Sequence, residues 1–259
     1  MKTVLVCAAQ APFITGGAEI LVSELRANLE RRGFRADVVN VPFKWYPVSE
    51  LVRQALAWRL LDLTESNGTP IDLVIPTKFP TYLVRHPRKV TWLFQQHSEA
   101  YDLFGTPYCS FTDSPEDRQV REAITTMDTA ALSECRSIFT ISRNVADRLS
   151  RYNGLPGTAL YPPPHHLGRY RSDAYGDYLF YAGRLDRLKR LDLAVDAMKR
   201  VRRSWSAYSR PSRPFSPCAS TRSMRFTRSC TWATSSSCTM RWRSSISAMC
   251  RLWMPSTES

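Results

Sequence analysis

The sequence contains no Cys-x-x-Cys pair. No histidine lies among Cys218, Cys230, Cys238 and Cys250, whose separations of eleven, seven and eleven intervening residues do not suit a zinc site. No apolar run approaches the ~20 residues that cross a bilayer. The run at residues 4–9, behind Lys2, is too short for the apolar core of a secretory signal, and a Gly-Gly turn and a helix pattern follow closely. Nothing directs the chain to an oxidising compartment, so a disulfide framework is not expected, and Cys7, Cys109 and Cys135 read as reduced thiols of a cytoplasmic protein. There is no Gly-x-Gly-x-x-Gly run, which counts against a nicotinamide-binding enzyme.

The stretch 202–259 lacks far more. It has no Gly, Val, Asp, Asn, Gln or Lys, and Ile246 and Leu252 are its only branched aliphatics, too few for a packed core. It holds 16 Ser, 10 Arg, 4 Trp and 4 Cys, whereas disordered segments are poor in Trp and Cys. It does not repeat the RS or RGG units of RNA-binding tails. Shifted reading of a GC-rich gene gives this mixture, because Leu, Val, Ala and Gly codons read out of phase yield Trp, Cys, Arg and Ser. The expectation is an out-of-frame, disordered tail over 202–259.

The net charge of +13 follows the same division: the tail contributes +9, and the first 201 residues, with 26 basic and 22 acidic groups, contribute +4. Such a charge on one folded surface would point to nucleic acid or an anionic membrane. Here most of it belongs to the tail, and no nucleic-acid partner is expected.

The body alternates strand and helix signals, the pattern of a parallel sheet covered by helices. Strands are expected at 3–8, 36–41, 72–76, 90–94, 137–141 and 158–160. Helices are expected where Ala18, Leu21, Val22, Leu25 and Leu29 recur at helical spacing, over 48–63, from Ser114 as N-cap onward, and from Ser142 to Tyr152. Gly33 and Asn153-Gly154 supply stops. Tyr161-Pro162-Pro163-Pro164 reads as a stiff linker. A second unit then opens with a strand at 178–182, a turn at 183–189 and a helix at 191–201. The divisions are therefore 1–164, 165–201 and 202–259.

Three places can carry chemistry. Gly16-Gly17-Ala18-Glu19 joins the first strand to the first helix, where backbone N–H groups of a doubly wound fold meet a phosphate or a sugar hydroxyl; a Gly-Gly pair also serves plain tight turns. His97 directly follows the fourth strand, and carboxyl ends of strands in open α/β sheets face the ligand crevice. A histidine there can bind a hydroxyl or move a proton near neutral pH. In Gly183-Arg184-Leu185-Asp186-Arg187-Leu188-Lys189 a glycine, the fork of Arg184 and the point charge of Lys189 suit a diphosphate.

Over residues 1–201 the chain resembles the retaining GT-B glycosyltransferases known as glycosyl transferase group 1. The likeness rests on the GGAE turn, QHSEAYD, FTISRNVADRLSRYNG, the YPPP linker and, most specifically, YLFYAGRLDRLKRLDLAVDAMKRV. It implies two Rossmann-like domains, the first binding a glycan or glycolipid acceptor and the second a UDP-, GDP- or ADP-sugar. Gly16, Gly17 and Glu19 would approach acceptor or phosphate, and His97 would be the catalytic contact to the transferred sugar. Arg184 and Lys189 would neutralise the leaving diphosphate, with no metal and no other cofactor required. The setting implied is surface polysaccharide or glycolipid synthesis, with peripheral contact at the inner face of the membrane. The family's donor domain also carries two glutamates eight apart, whereas Glu258 stands alone after Val201. A truncated second domain without measurable transfer is therefore expected. Two other readings stay open: a single Rossmann-like binding module whose basic tail docks on RNA or anionic membrane, and a nucleotide-dependent enzyme of another doubly wound family.

Overall fold

The computed structural model describes residues 1–164, 166, 168–171, 173–174, 178–182, 187–198 and 204–208. These fall into two compact units, 1–164 and 166–208, each described by itself.

In the first unit β1 (Thr3–Gln10) leads through a loop into α1 (Gly17–Glu30), then β2 (Arg35–Pro42) and α2 (Glu50–Leu60). A small hairpin, β3 (Glu65–Ser66) and β4 (Thr69–Pro70), precedes β5 (Leu73–Pro76) and β6 (Val90–Leu93). Helix α3 (Pro115–Ser133), β7 (Ser137–Thr140), α4 (Arg143–Asn153) and β8 (Thr158–Ala159) complete it. The strands lie in the order β2-β1-β5 and β6-β7-β8, all paired in parallel. Single parallel bridges, Val74 to Lys89 and Lys78 to Gln95, join β5 to β6. Between the two bridges Pro76 has no N–H to offer, and the Thr77 N–H goes to Thr81 Oγ1 at 2.9 Å.

Both sheet faces are covered, as parallel strands require. Val4, Val6 and Ala8 of β1 pack with Val22, Leu25 and Leu29 of α1. Cys7 faces the other way, into a core with Leu51 and Ala55 of α2, Ile124 and Leu132 of α3, and Leu149 of α4. The fold is thus α/β, a parallel sheet flanked by helices.

Local chemistry explains the ends. Ser114 Oγ accepts the Asp117 N–H at 3.1 Å and Ser142 Oγ accepts the Val145 N–H at 3.3 Å, so both helices start at side-chain caps. Gly154, at φ 66°, closes α4 in the left-handed region. One expectation needs correction, and one element was not foreseen. Helix α2 is shorter than 48–63, and the segment behind it turns at Asn67-Gly68, both at positive φ, the dipeptide that suits a tight hairpin.

The second unit holds β9 (Tyr178–Ala182), a 3-10 turn at Arg187–Lys189 and α5 (Leu191–Met198). A further strand, β10 (Ser204–Tyr208), pairs in parallel with β9. Regular structure therefore continues past residue 202, where the out-of-frame, disordered stretch was expected to begin; residues 209–259 lie outside those described. No helix among the described residues is long and apolar enough to cross a membrane.

Candidate functional site at the carboxyl edge of the first sheet

The chain steps from β1 outward to β2, then returns to lay β5 on the other side of β1. At such a reversal the loops leaving the two inner strands part and open a crevice. The loop leaving β1 carries Gly16 and Gly17, and Lys78 follows β5 by two residues.

Gly16 is the N-cap of α1 in extended conformation, and Gly17 is the first helical residue. A Cβ on Gly17 would meet nothing within 4 Å, so no packing inside the chain demands glycine there. Gly16 has no side chain to cap the helix, and the cap is supplied from the other direction: Glu19 Oε2 accepts the Gly16 N–H at 2.7 Å. The second oxygen, Oε1, lies 3.3 Å from Lys78 Nζ, with both side chains about four-fifths buried. The Glu19 carboxylate thus sits at the positive end of α1 and is balanced by a cation from a different strand. Around this pair lies a cleft of about 280 Å³ bordered by Gln10, Glu19, Ser23, Asn40 and Lys78 over an apolar floor of Ala8, Val22 and Phe94.

His97 stands on the next loop outward, as N-cap of a 3-10 turn at Ser98–Ala100. Its ring lies between Phe79, at 5.4 Å, and Phe111, at 6.2 Å. Burial lowers its pKa below the ordinary value, only partly offset by Glu99, so the imidazole is neutral at pH 7. Phe79 adjoins Lys78 in sequence, and its N–H donates to Gln95 O at 3.3 Å. Glu19, Lys78, Phe79 and His97 therefore form one line of contacts along the carboxyl edge.

Beneath that line the His97 loop is held by a buried polar network. Gln96 Nε2 donates to Asn153 Oδ1 at 2.7 Å, and Asn153 Nδ2 donates to Thr129 Oγ1 at 2.8 Å. The Tyr101 hydroxyl donates to Asp128 Oδ2 at 2.8 Å. Asp128 is fully buried, and desolvation raises its pKa to about 7 despite the tyrosine contacts.

The structure thus gathers Gly16, Gly17, Glu19 and His97 on one edge of one sheet. Arg184 lies outside the described residues; Lys189 is exposed, at the end of the second unit's 3-10 turn. Among the described residues no group of three or more His, Cys, Asp or Glu is placed to hold a metal ion. Sequence reasoning missed Lys78, Gln10 and Asn40. The rule that singled out His97, a polar residue just past a strand's carboxyl end, applies equally to Lys78.

No family model and no curated protein matches the chain. Among solved structures it is similar to the lipopolysaccharide outer core galactosyltransferase WaaB in its apo form, at 15% identity and TM-score 0.44 over 80% of this chain. It is also similar to an alpha-glucosyltransferase in complex with UDP and a 13-mer DNA containing a HMU base, at 13% identity and TM-score 0.38 over 77% of this chain. The chain spans 60% and 54% of the length of those two proteins.

Proposed function

We propose that the protein is a GT-B-type glycosyltransferase that moves a sugar from a nucleotide diphosphate to a glycan or glycolipid acceptor with retention. Residues 1–164 hold the acceptor, and the second unit begins the donor domain. The observation that carries the reading is the assembly of Gly16, Gly17, the Glu19–Lys78 pair and His97 at the carboxyl edge, beside the strand-order reversal. The motif phrases of residues 1–201, above all the one spanning 178–201, support it independently.

The chemistry divides simply. Breaking the glycosidic bond develops charge on the leaving diphosphate, which Arg184 and Lys189 would neutralise. Neutral His97, between two rings, would exchange hydrogen bonds with a hydroxyl of the transferred sugar, an interaction that desolvation strengthens. The composition of the tail supports a shifted reading frame, which removes most of the nucleotide-sugar pocket.

The test has two parts. The nucleotide sequence around codons 200–205 should show an inserted or deleted base, and the frame-restored protein should transfer sugar from UDP-, GDP- or ADP-glucose or galactose with the anomeric configuration kept. The 259-residue chain should show no measurable turnover. An intact frame, or a restored protein that transfers nothing while Arg184→Ala leaves sugar-nucleotide binding unchanged, defeats the reading. Salt-sensitive RNA binding that depends on the tail would favour the binding-module alternative instead.

A further inference from the structure

The loop between β1 and α1 contains a bulky residue in a costly conformation. The Ile14 N–H donates to Ala11 O at 3.2 Å, closing a turn with Pro12 and Phe13 at its centre. Phe13 has φ 64° at the position of that turn where glycine or asparagine is usual. A large side chain at positive φ is strained. Its side chain packs on nothing among the described residues, being 96% exposed. The chain thus exposes an aromatic ring at an unfavourable backbone angle three residues before Gly16.

The neighbouring strand does something similar. β2 runs out at Pro42, beside Gln10 of β1, and the segment beyond it exposes Trp45 at 39% and Tyr46 at 52%, their rings edge to face at 5.4 Å. The two loops are braced to each other. Gln10 Nε2 donates to Ile14 O at 2.6 Å, and Gln10 Oε1 accepts from Asn40 Nδ2 at 2.8 Å. The Phe43 N–H adds a bond to Gln10 O at 3.0 Å. One glutamine thus ties the turn that carries Phe13 to the strand that leads to Trp45, and Gln10 and Asn40 themselves border the cleft beside Glu19.

We infer that Phe13 and Trp45, the latter braced edge to face by Tyr46, form stacking surfaces for the sugar rings of a neutral saccharide, the acceptor of the transfer proposed above. A pyranose presents an apolar C–H face and a rim of hydroxyls. Flat aromatic rings cover the first, and amide and carboxylate side chains meet the second. The unit as a whole offers an anionic bilayer little net attraction, residues 1–164 carrying 18 Lys and Arg against 17 Asp and Glu, and the cation beside the rings, Lys44, lies over the Tyr46 face at 5.4 Å. The inference rests on the glycosyltransferase reading for the word acceptor alone; the saccharide site stands or falls by itself.

The experiment uses the full chain on a printed panel of neutral oligosaccharides. Phe13→Gly is a suitable probe because glycine adopts φ 64° without strain, so that variant folds at least as stably. Wild type should retain at least one glycan, and Phe13→Gly and Trp45→Ala should each weaken retention by about tenfold, the worth of one stacked ring and its area. Retention of no glycan, or retention unchanged in both variants, overturns the proposal. So does a Phe13- and Trp45-dependent uptake by phosphatidylglycerol vesicles with no glycan bound. Glycan loss in the variants of a protein that never uses a sugar nucleotide would sink the enzyme and leave the platform.

Discussion

Lys78 Nζ and Glu19 Oε1 stand 3.3 Å apart and join the loop behind β5 to the first turn of α1, while the other Glu19 oxygen closes the helix end at Gly16. The two interactions are separable. Glu19→Ala removes both the cap and the pair and should lower stability by about 1 kcal/mol. Lys78→Met leaves the Gly16 N–H satisfied and the carboxylate still held by the helix end, so a smaller loss of about 0.5 kcal/mol is expected. Urea unfolding of the two variants checks the order. Equal losses would show that the cap contributes nothing.

His97 gives a pH signature of definite sign. Its folded pKa is depressed below the ordinary 6.5 by burial, so the unfolded chain takes up the proton first. The folded state should therefore lose stability as the pH falls through and below about 6.5. His86 is depressed for the same cause and adds to the slope. An NMR titration should place the His97 midpoint below 6.5, and His97→Asn should flatten the slope without abolishing it. A His97 midpoint at or above 6.5 would contradict the buried ring seen between Phe79 and Phe111.

Much of this site lay open in the sequence because its residues are placed by local rules. Glycines next to a strand end, a serine three residues ahead of an acid, and a histidine just past an apolar run all declare their positions within a few residues. What stayed hidden depends on distant partners. Lys78 finds Glu19 across 59 residues and Gln10 finds Asn40 across 30. No period or spacing in either segment announces those meetings; they follow from strand order, which places β2 and β5 on either side of β1. Asp128 looks like any polar residue of a helix face until the turn at Thr81–Leu83 and the 101 loop close over it.

Lys89 tests how a buried charge is tolerated. Its side chain is fully buried, and Nζ meets Tyr82 O at 3.0 Å, Val84 O at 3.0 Å, Ala131 O at 2.9 Å and Glu134 Oε2 at 3.0 Å. Every proton of the ammonium is used, and three of the four acceptors are buried backbone carbonyls. Lys89→Met should cost about 3 kcal/mol or more. Arg59→Ala, which removes the outer partner of Glu134, should cost about 1 kcal/mol. Arg59 and Lys89 together hold the Glu134 pKa at about 2, so their stabilisation is complete above the ordinary 4.5 and is lost as pH falls through about 2. Denaturant midpoints at pH 7 and pH 2 should show the difference between wild type and Lys89→Met shrinking in acid.

Asp128 should act in the opposite sense to His97. Its folded pKa of about 7 lies above the ordinary 3.8, so the native state keeps a proton that the unfolded chain has already lost. Stability contributed by the neutral acid is complete below 3.8 and declines as pH rises toward 7. Tyr101 donates to Oδ2, and the Tyr82 hydroxyl faces the same carboxyl from the turn at Thr81–Leu83 without reaching good hydrogen-bond geometry. Arg121, near Tyr101, is the cation on that side and bonds Ala100 O instead. Asp128→Asn keeps the shape and removes the titration. The variant should match wild type near pH 4 and exceed it clearly at pH 8. Because His97 and His86 slope the other way below 6.5, only the difference between variant and wild type isolates the carboxyl. Parallel stability curves from pH 4 to pH 8 would mean that Asp128 is ionised in the native protein, and that the network beneath His97 holds a charge rather than a proton.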